Sequence, residues 1–519
     1  MSPTTLASVL QAFVPLVPEQ EFLRPPVPTV LGPVEYRQWR QQLERIDEIL
    51  RWSGTEEAFQ SRSLAKWNRE EVSEAVKEKR AVRQMQPGEQ AEYQRLCRQA
   101  LRCNVARTLL GEPFRKFSAH LAESALLQWF CQLGRIDITR IPGKSALQRY
   151  SVWLPEEQMR EVAAALLKAA AEAPGEHKGQ RIGLREPLDL DTYFLDSTCV
   201  KLHMHFPVDW VLLHDAARTL MKATILIRDH GLKARMEEPA MFLKRMNRLS
   251  IKMTHARRAK KSKSLRKAAL REMKKLSKVI AEHASRHRDL LVAQWRETDL
   301  TQGEAAQIQK RIEGVLEQLP AAIKQAHERI IGERQVKSSD KILSLYEKNV
   351  AVYVRGKAGA EVEFGRQLLL GECESGVITD WELVLGNVKA DTKLLDRSLD
   401  RLTKHCPVMP KSVCGDRGFD SKANRASLEK RKMDNGICPK PPAELTKAMQ
   451  DPQFAGLQWR RSQTEARIAI FKNGFLGAPL LSKGYQNQTM EIAWSVLTHN
   501  LWVMARLPRQ GTKPLRKAN

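Results

Sequence analysis

Leu188-Asp-Leu-Asp-Thr-Tyr-Phe-Leu-Asp196-Ser-Thr-Cys-Val-Lys-Leu-His-Met-His-Phe-Pro-Val-Asp209 is the stretch on which the fold turns. Tyr193, Phe194 and Leu195 run together, and Val200 and Leu202 then alternate with polar residues, the pattern of a buried strand. Asp196 stands inside it. A carboxylate in such a strand is costly to desolvate unless it is paired or binds a cation. His203 and His205 alternate to one face and read as a partly exposed strand edge, with metal ligation as the alternative. Asp209, past Pro207, reads as the cap of a helix from Leu212.

Two later stretches complete a pattern with this strand. Ser412-Val-Cys-Gly-Asp416-Arg-Gly418-Phe-Asp-Ser421 reads as a short strand ending in Asp416, a Gly turn, and a helix capped by Ser421. An acid at the C-terminal end of a strand is where α/β folds place ligands. Arg461-Ser-Gln-Thr-Glu465-Ala-Arg-Ile-Ala-Ile-Phe-Lys472 has no Gly or Pro and reads as a helix. Arg461, Glu465 and Lys472 share one face, and Ala466, Ile468, Ile470 and Phe471 offer apolar surface around the rest. A salt-bridged surface stripe is the simpler account of that helix taken alone.

Between and around these segments the chain alternates in character. Residues 336–507 carry four expected strands (Ile342–Tyr346, Val350–Arg355, Glu361–Leu370 and Val377–Leu385) and a helix from Asp391 to Leu402, which Asp391 would cap. An amphipathic helix over Gln488–Leu507 follows, with Ile492, Val496, Leu497 and Leu501 as its apolar stripe. Residues 213–335 read as long helices. Between Lys252 and Arg288 they hold Arg257, Arg258, Lys260, Lys261, Lys263, Arg266, Lys267, Arg271, Lys274, Lys275 and Lys278 against only Glu272 and Glu282. Like charges this close repel, so the excess implies an anionic partner, most simply a phosphate backbone.

The N-terminal part is expected to be all helical. Residues 1–35 are Pro-rich and form an irregular arm, and residues 1–115 otherwise show apolar positions three or four apart. In residues 116–175, Leu121–Leu133 reads as one helix with Gly134 as its C-cap. After Ile141-Pro-Gly143 a second helix opens with Lys144 and continues to Arg149. Helix, tight turn, then a helix rich in polar and basic residues is what a groove-reading helix-turn-helix requires, although most such pairs are plain packing. Residues 173–183 read as a linker and the basic C-terminal tail as loose.

The length of 519 residues gives an expectation of about two to four domains. The formal net charge of +26 favours a polyanionic partner. Eight scattered cysteines with no C-x-x-C pair form neither a disulfide framework nor a zinc module, which fits a reducing cytoplasm. No transmembrane stretch or secretion signal is read, so nucleic acid is favoured over a membrane surface.

At these residues the sequence resembles the insertion-sequence DDE transposases with a ribonuclease-H-like core. Asp196-Ser-Thr followed by Phe206-Pro-Val-Asp209 is similar to that group's first-acid segment. Gly386-Asn387 with Asp391 and Leu394 is similar to its Gly-Asn-Pro-x-Asp-x-x-Thr-Leu stretch, and Asp416-Arg-Gly-Phe to its second-acid motif. Arg461, Glu465 and Lys472 fit its Y-(2)-R-(3)-E-(6)-K signature, except that Gln458 stands where the Tyr would fall. Ile141-Pro-Gly-Lys-Ser-Ala-Leu-Gln-Arg matches its DNA-binding part more loosely. The short interval between Asp416 and Glu465 leaves little room for the β insertion some relatives carry there; the insertion here is the basic helical block.

The resemblance implies an α/β protein: a ribonuclease-H-like mixed sheet flanked by helices (residues 186–212 and 336–507), a long basic helical insertion after the first core strand (213–335), and an N-terminal all-α region. It implies Asp196, Asp416 and Glu465 as catalytic acids and ligands of two Mg²⁺ ions (or Mn²⁺), with Arg461 and Lys472 on nearby phosphates. Further DNA contacts are expected from Lys144, Arg149, Arg257, Arg258, Lys260 and Lys261. The implied activity is cleavage at mobile-element ends and joining of the 3′-hydroxyl to target DNA, by a homodimer on double-stranded DNA in the cytoplasm, associated with the nucleoid. The alternative is a transposase-derived DNA-binding protein whose nuclease is silent.

Overall fold

The computed structural model describes residues 27, 30–134, 139–173, 180–204, 206–256, 262–337, 340–357, 360–386, 389–477 and 479–510, with backbone alone over 354–361 where described. Most of the Pro-rich arm, part of the expected linker, His205, Asn387, the C-terminal tail beyond Gln510, and Arg257, Arg258, Lys260 and Lys261 lie outside the described residues; the start of that tail, expected to be loose, pairs Arg509 with Leu184. The chain is a mixed α/β protein and divides into two compact units. One comprises Met1–Val200, Gln367–Val384 and Lys389–Asn519, and the other Lys201–Arg366 with Leu385–Val388.

The first unit opens with helices α1 (Val34–Trp52), α2 (Thr55–Glu78), α3 (Pro87–Leu110), α4 (Phe114–Glu123), α5 (Ala125–Phe130), α6 (Lys144–Ser151) and α7 (Glu156–Ala171). The single helix expected over Leu121–Leu133 is broken at Ser124. Its extended backbone ends α4, and its hydroxyl accepts from Leu127 N at 3.3 Å, capping α5. The left-handed turn after α5 falls at Gln132, not Gly134. Residues 131–143 separate α5 from α6, so the tight turn of a helix-turn-helix, about 3–4 residues, is not present there.

Strand β1 (Thr192–Lys201) then enters the sheet. In the second unit α8 (Asp209–Asp229), α9 (Pro239–Ala256), α10 (Ser262–Gln294) and α11 (Gln302–Ala326) pack about one apolar core that includes Leu213, Leu220, Met246, Met273 and Ile312. Asp209 starts α8, but its side chain does not cap it. It accepts from Gln325 Nε2 at 2.8 Å and Arg329 Nη1 at 2.9 Å. The strand expected over Ile342–Tyr346 is absent. Ser344 Oγ accepts from Tyr346 N and Glu347 N, and Gln325 Oε1 from Ile342 N, so side chains take the donors a ladder would need.

The chain continues through β2 (Ala351–Lys357), β3 (Ala360–Glu372), β4 (Ile378–Leu383), α12 (Leu395–His405), β5 (Ser412–Gly415), α13 (Lys422–Lys430), β6 (Asp434–Ile437), α14 (Pro442–Ala448), α15 (Pro452–Phe471) and α16 (Tyr485–Met504). The sheet runs β2-β3-β1-β5-β6, with β4 also on β3. β1, β5 and β6 are parallel, and β3 is antiparallel to β2 and β4. Parallel strands carry apolar residues on both faces, as Tyr193, Phe194 and Leu195 do. Leu395, Leu399 and Leu402 of α12 close over Tyr193, Leu195 and Val413. As expected, Ser421 caps α13 by accepting from Asn424 N at 3.1 Å.

Helix α16 is buried almost all round, not along one stripe: Gln488, Thr498, His499 and Asn500 are enclosed as fully as Ile492 and Leu497. It packs on α3, α7 and β4. His499, only 4% exposed, meets Phe471 and Phe475 edge-on at 5.5 and 5.1 Å. Burial pushes its imidazole down to about 4. The folded state therefore binds fewer protons than the unfolded chain between about pH 4 and the ordinary imidazole range near 6.5. Stability should fall as pH drops below about 6.5, with the full cost of roughly 3 kcal/mol reached below about pH 4. His499→Phe should remove much of that loss, read as a smaller drop in melting temperature between pH 7 and 5 than in wild type. An equal drop would show that His499 does not set the acid sensitivity.

Candidate active site

Strand pairing brings the first two acids together. β1 and β5 are in parallel register from Thr192↔Ser412 to Leu195↔Gly415. Asp196 and Asp416 are the next residue on each chain, side by side where β5 ends. Asp196 Oδ1 accepts from Ser197 N at 2.7 Å. Asp416 Oδ1 accepts from Gly418 N at 2.8 Å and caps the tight turn Arg417–Phe419. Both carboxylates are half-buried.

Helix α15 covers the sheet and carries Glu465. Its inner face is held by Arg460, whose guanidinium donates to Glu372 Oε1 and to the carbonyls of Cys373 and Glu374 and lies 4.4 Å from the Phe194 ring. Thr464 donates to the same Glu372 oxygen at 3.0 Å. Glu465, the next residue, is exposed. Ala466 and Ile470, expected to pack, are exposed, while Ile468 and Phe471 are buried. Arg460 and Thr464, not marked by any motif, anchor the helix.

The electrostatics tie these acids to a fourth. Asp196 is pushed up to about 7, chiefly by burial and then by the charge of Asp416, with Asp391 and Glu465 adding to it and the Ser197 N–H opposing. Asp391 is also raised, by burial first and by Asp416, against the hydrogen bonds it receives. It was expected to cap a helix. Instead a short 3₁₀ turn runs from Asp391 to Lys393 without any side-chain cap, and Asp391 Oδ1 accepts from Ser197 Oγ at 2.6 Å and Gln367 Nε2 at 3.1 Å. Its other oxygen presses on Gly418: a Cβ there would lie 2.7 Å from Asp391 Oδ2 and 2.9 Å from Asp416 Oδ1.

The two flanking cations behave differently from a stripe clamping Glu465. Among the described residues no ion pair joins Arg461 to Glu465. Arg461 Nε donates to Gln458 Oε1 at 3.1 Å, and Gln458 donates to Gly436 O at 2.6 Å on β6. Lys472, at the end of α15, donates to Thr198 Oγ1 at 3.1 Å and Cys199 O at 2.7 Å, which ties the helix to the strand bearing Asp196. Lys144 and Arg149 are exposed on α6, while Leu147 and Tyr150 are buried beneath them.

The donor set suits a hard cation. Asp196, Asp416 and Glu465 offer carboxylate oxygens, and burial of Asp196, with the charge of Asp416 adding to it, raises a carboxyl that a divalent ion would hold ionised. Among the described residues, however, no group of three or more His, Cys, Asp or Glu side chains is placed to hold a metal ion. Mg²⁺ ordinarily uses one or two carboxylates with waters and substrate phosphates, so a group of three is not required of it. No protein-family model, no curated protein and no solved structure matches the chain.

Proposed function

We propose that the chain is a DDE-type DNA transposase that cleaves phosphodiester bonds at mobile-element ends and joins the freed 3′-hydroxyl to target DNA. The single observation that carries this is the register of β1 and β5, which sets Asp196 and Asp416 side by side; Glu465 on the covering helix adds its charge to those acting on Asp196. The order β3-β1-β5-β6, with β4 on the far side of the meander, supports a ribonuclease-H-like core. Mg²⁺ held by Asp196, Asp416 and Glu465 would supply activation of the attacking oxygen and stabilisation of the leaving 3′-oxygen. The chain's own residues set the geometry: Ser197 N and Gly418 N each hold one carboxylate, and Lys472 and Arg460 fix α15 above the sheet. Arg461, half-buried one turn before Glu465 on the same helix, would supply a cation for a phosphate.

Double-stranded DNA is the proposed partner, and a homodimer would bring two element ends together. The second unit supports the DNA reading with exposed cations on α9 as well as on α10. α9 contains no acidic residue, and its exposed Lys244, Arg248 and Lys252 recur every four positions while Phe242, Met246, Leu249 and Met253 face inward. Among the described residues none of those three cations has an ion pair. On α10, Arg271, Lys275 and Lys278 form a similar exposed row. Charge reversal of Lys244, Arg248 and Lys252 together should weaken duplex binding at least about tenfold and reduce the slope of log K against log salt by about 3. An unchanged slope would remove α9 from the interface.

The experiment that tests the reading is Mg²⁺-dependent nicking of a labelled duplex carrying the sequences that flank the gene, wild type against Asp416→Asn. Nicking by wild type alone supports the transposase. The alternative reading is a DNA-binding protein with a silent nuclease. Equal DNA binding by both proteins with no nicking by either would put that alternative ahead.

A further inference from the structure

Asp391 lies on neither of the strands that present Asp196 and Asp416, yet it touches β1 and the turn that follows β5. Through Oδ1 it accepts from Ser197 Oγ, and the Ser197 backbone N–H holds Asp196. Through Oδ2 it packs against Gly418, whose N–H holds Asp416. Gln367 on β3 fixes Asp391 in turn: its Nε2 donates to Asp391 Oδ1 and to Lys389 O, and its Oε1 accepts from Lys389 N. The carboxylate is thus hydrogen-bonded to β1 and β3 and lies against the turn that follows β5.

We propose that Asp391 is a positioning residue that sets the separation of Asp196 and Asp416, acting through Ser197 on one and through the Gly418 turn on the other. Its consequence for DNA cleavage rests on the nuclease reading; its effect on the two strands does not. The role needs an acceptor at Oδ1 and a planar group against Gly418, not a negative charge. Asn meets both requirements, and its amide nitrogen faces Asp416 as a donor. Ala meets neither. A role as a metal ligand would instead require the charge, so the two variants separate the possibilities.

The test uses the full chain as wild type, Asp391→Asn, Asp391→Ala and Ser197→Ala. Hydrogen exchange of peptides covering β1 and the Arg417–Phe419 turn is measured without metal, and Mn²⁺ binding is followed by loss of the free-ion resonance signal. Asp391→Ala and Ser197→Ala should speed exchange of the Ser197 amide about tenfold or more, and Asp391→Ala should do so at Gly418 also. Asp391→Asn should exchange like wild type. Mn²⁺ affinity should fall about tenfold in Asp391→Ala and recover in Asp391→Asn, with nicking showing a lower kcat at unchanged KM for DNA. Wild-type exchange in Asp391→Ala would overturn the proposal. Equal loss of Mn²⁺ affinity in the Asn and Ala variants would overturn it too, by making the charge the requirement. If wild type neither binds Mn²⁺ nor nicks, the nuclease reading fails, and the exchange comparison alone decides on Asp391.

Discussion

Asp416→Asn is expected to lower Mg²⁺-dependent nicking by at least about 10³-fold, roughly 4 kcal/mol of transition-state stabilisation, while duplex binding is kept. Asn keeps the shape and the acceptor that receives Gly418 N, so the turn after β5 survives and only the charge is lost. The folded protein should not suffer. Asp416 is the foremost neighbouring charge that raises Asp196 to about 7. In the metal-free wild type the native state holds that proton more tightly than the unfolded chain. Stability therefore declines as pH rises from about 4 to about 7, and the loss is complete above that range. In the variant this decline should shrink. Melting curves in chelator at pH 5 and 8 check it: the variant should match wild type at the lower pH and equal or exceed it at the higher. Loss of nicking with a lower melting temperature at both pH values would point to misfolding, and full nicking would sink the assignment.

Gly371→Ala should damage the fold itself. Gly371 lies on β3, and a Cβ there would sit 1.9 Å from Tyr193 Oη and 2.1 Å from its Cζ. The ring cannot swing away. Its hydroxyl is 2.6 Å from Ser398 Oγ, Ser398 donates to Asp380 Oδ2 at 2.6 Å, and Asp380 is gripped by Arg401 and Arg160. Overfilling a core costs about 1–3 kcal/mol ordinarily, and a contact this short against a pinned ring belongs at or above the top of that range. Gly314→Ala is the control. It lies inside α11 with nothing within 4 Å of an added Cβ, and should stabilise by up to about 1 kcal/mol. Soluble yield and melting temperature read both. If Gly371→Ala melts like wild type, Tyr193 is not packed as described.

What the sequence disclosed, and what it withheld, follows the range of the forces involved. β1, β5 and α15 were legible because each is written locally: an apolar run, a Gly turn after an acid, a helix without breakers. The grouping of Asp196, inside its strand, with Asp416, at a strand end, came from the family resemblance, and the β1–β5 register sets the two side by side. Asp391 was misread because an Asp ahead of a helical pattern is usually a cap, and nothing nearby reveals that Ser197 and Gln367 compete for it. β6 went unread because Asp434-Asn-Gly carries the composition of a turn, although its four residues pair with Ser412–Gly415. The break at Ser124 is the choice of one hydroxyl for Leu127 N. Burial of α16 on all sides depends on α3 and α7, far away in the chain, so its polar residues looked like a solvent face.

The parallel pairing of β1 with β5 also fixes an order of events during synthesis. β1 leaves the ribosome early, and its partner Ser412–Gly415 follows only after the whole second unit has been made. Closing so long a loop adds little to the entropic cost once an intervening helical bundle has folded, since that cost grows only with the logarithm of length. It does add delay, because the chain grows at about 5–20 residues per second. Glu465 follows later still. A nascent chain therefore displays its basic helices before its acids can meet, and the proposed capacity to cut would arrive only as the last helices dock.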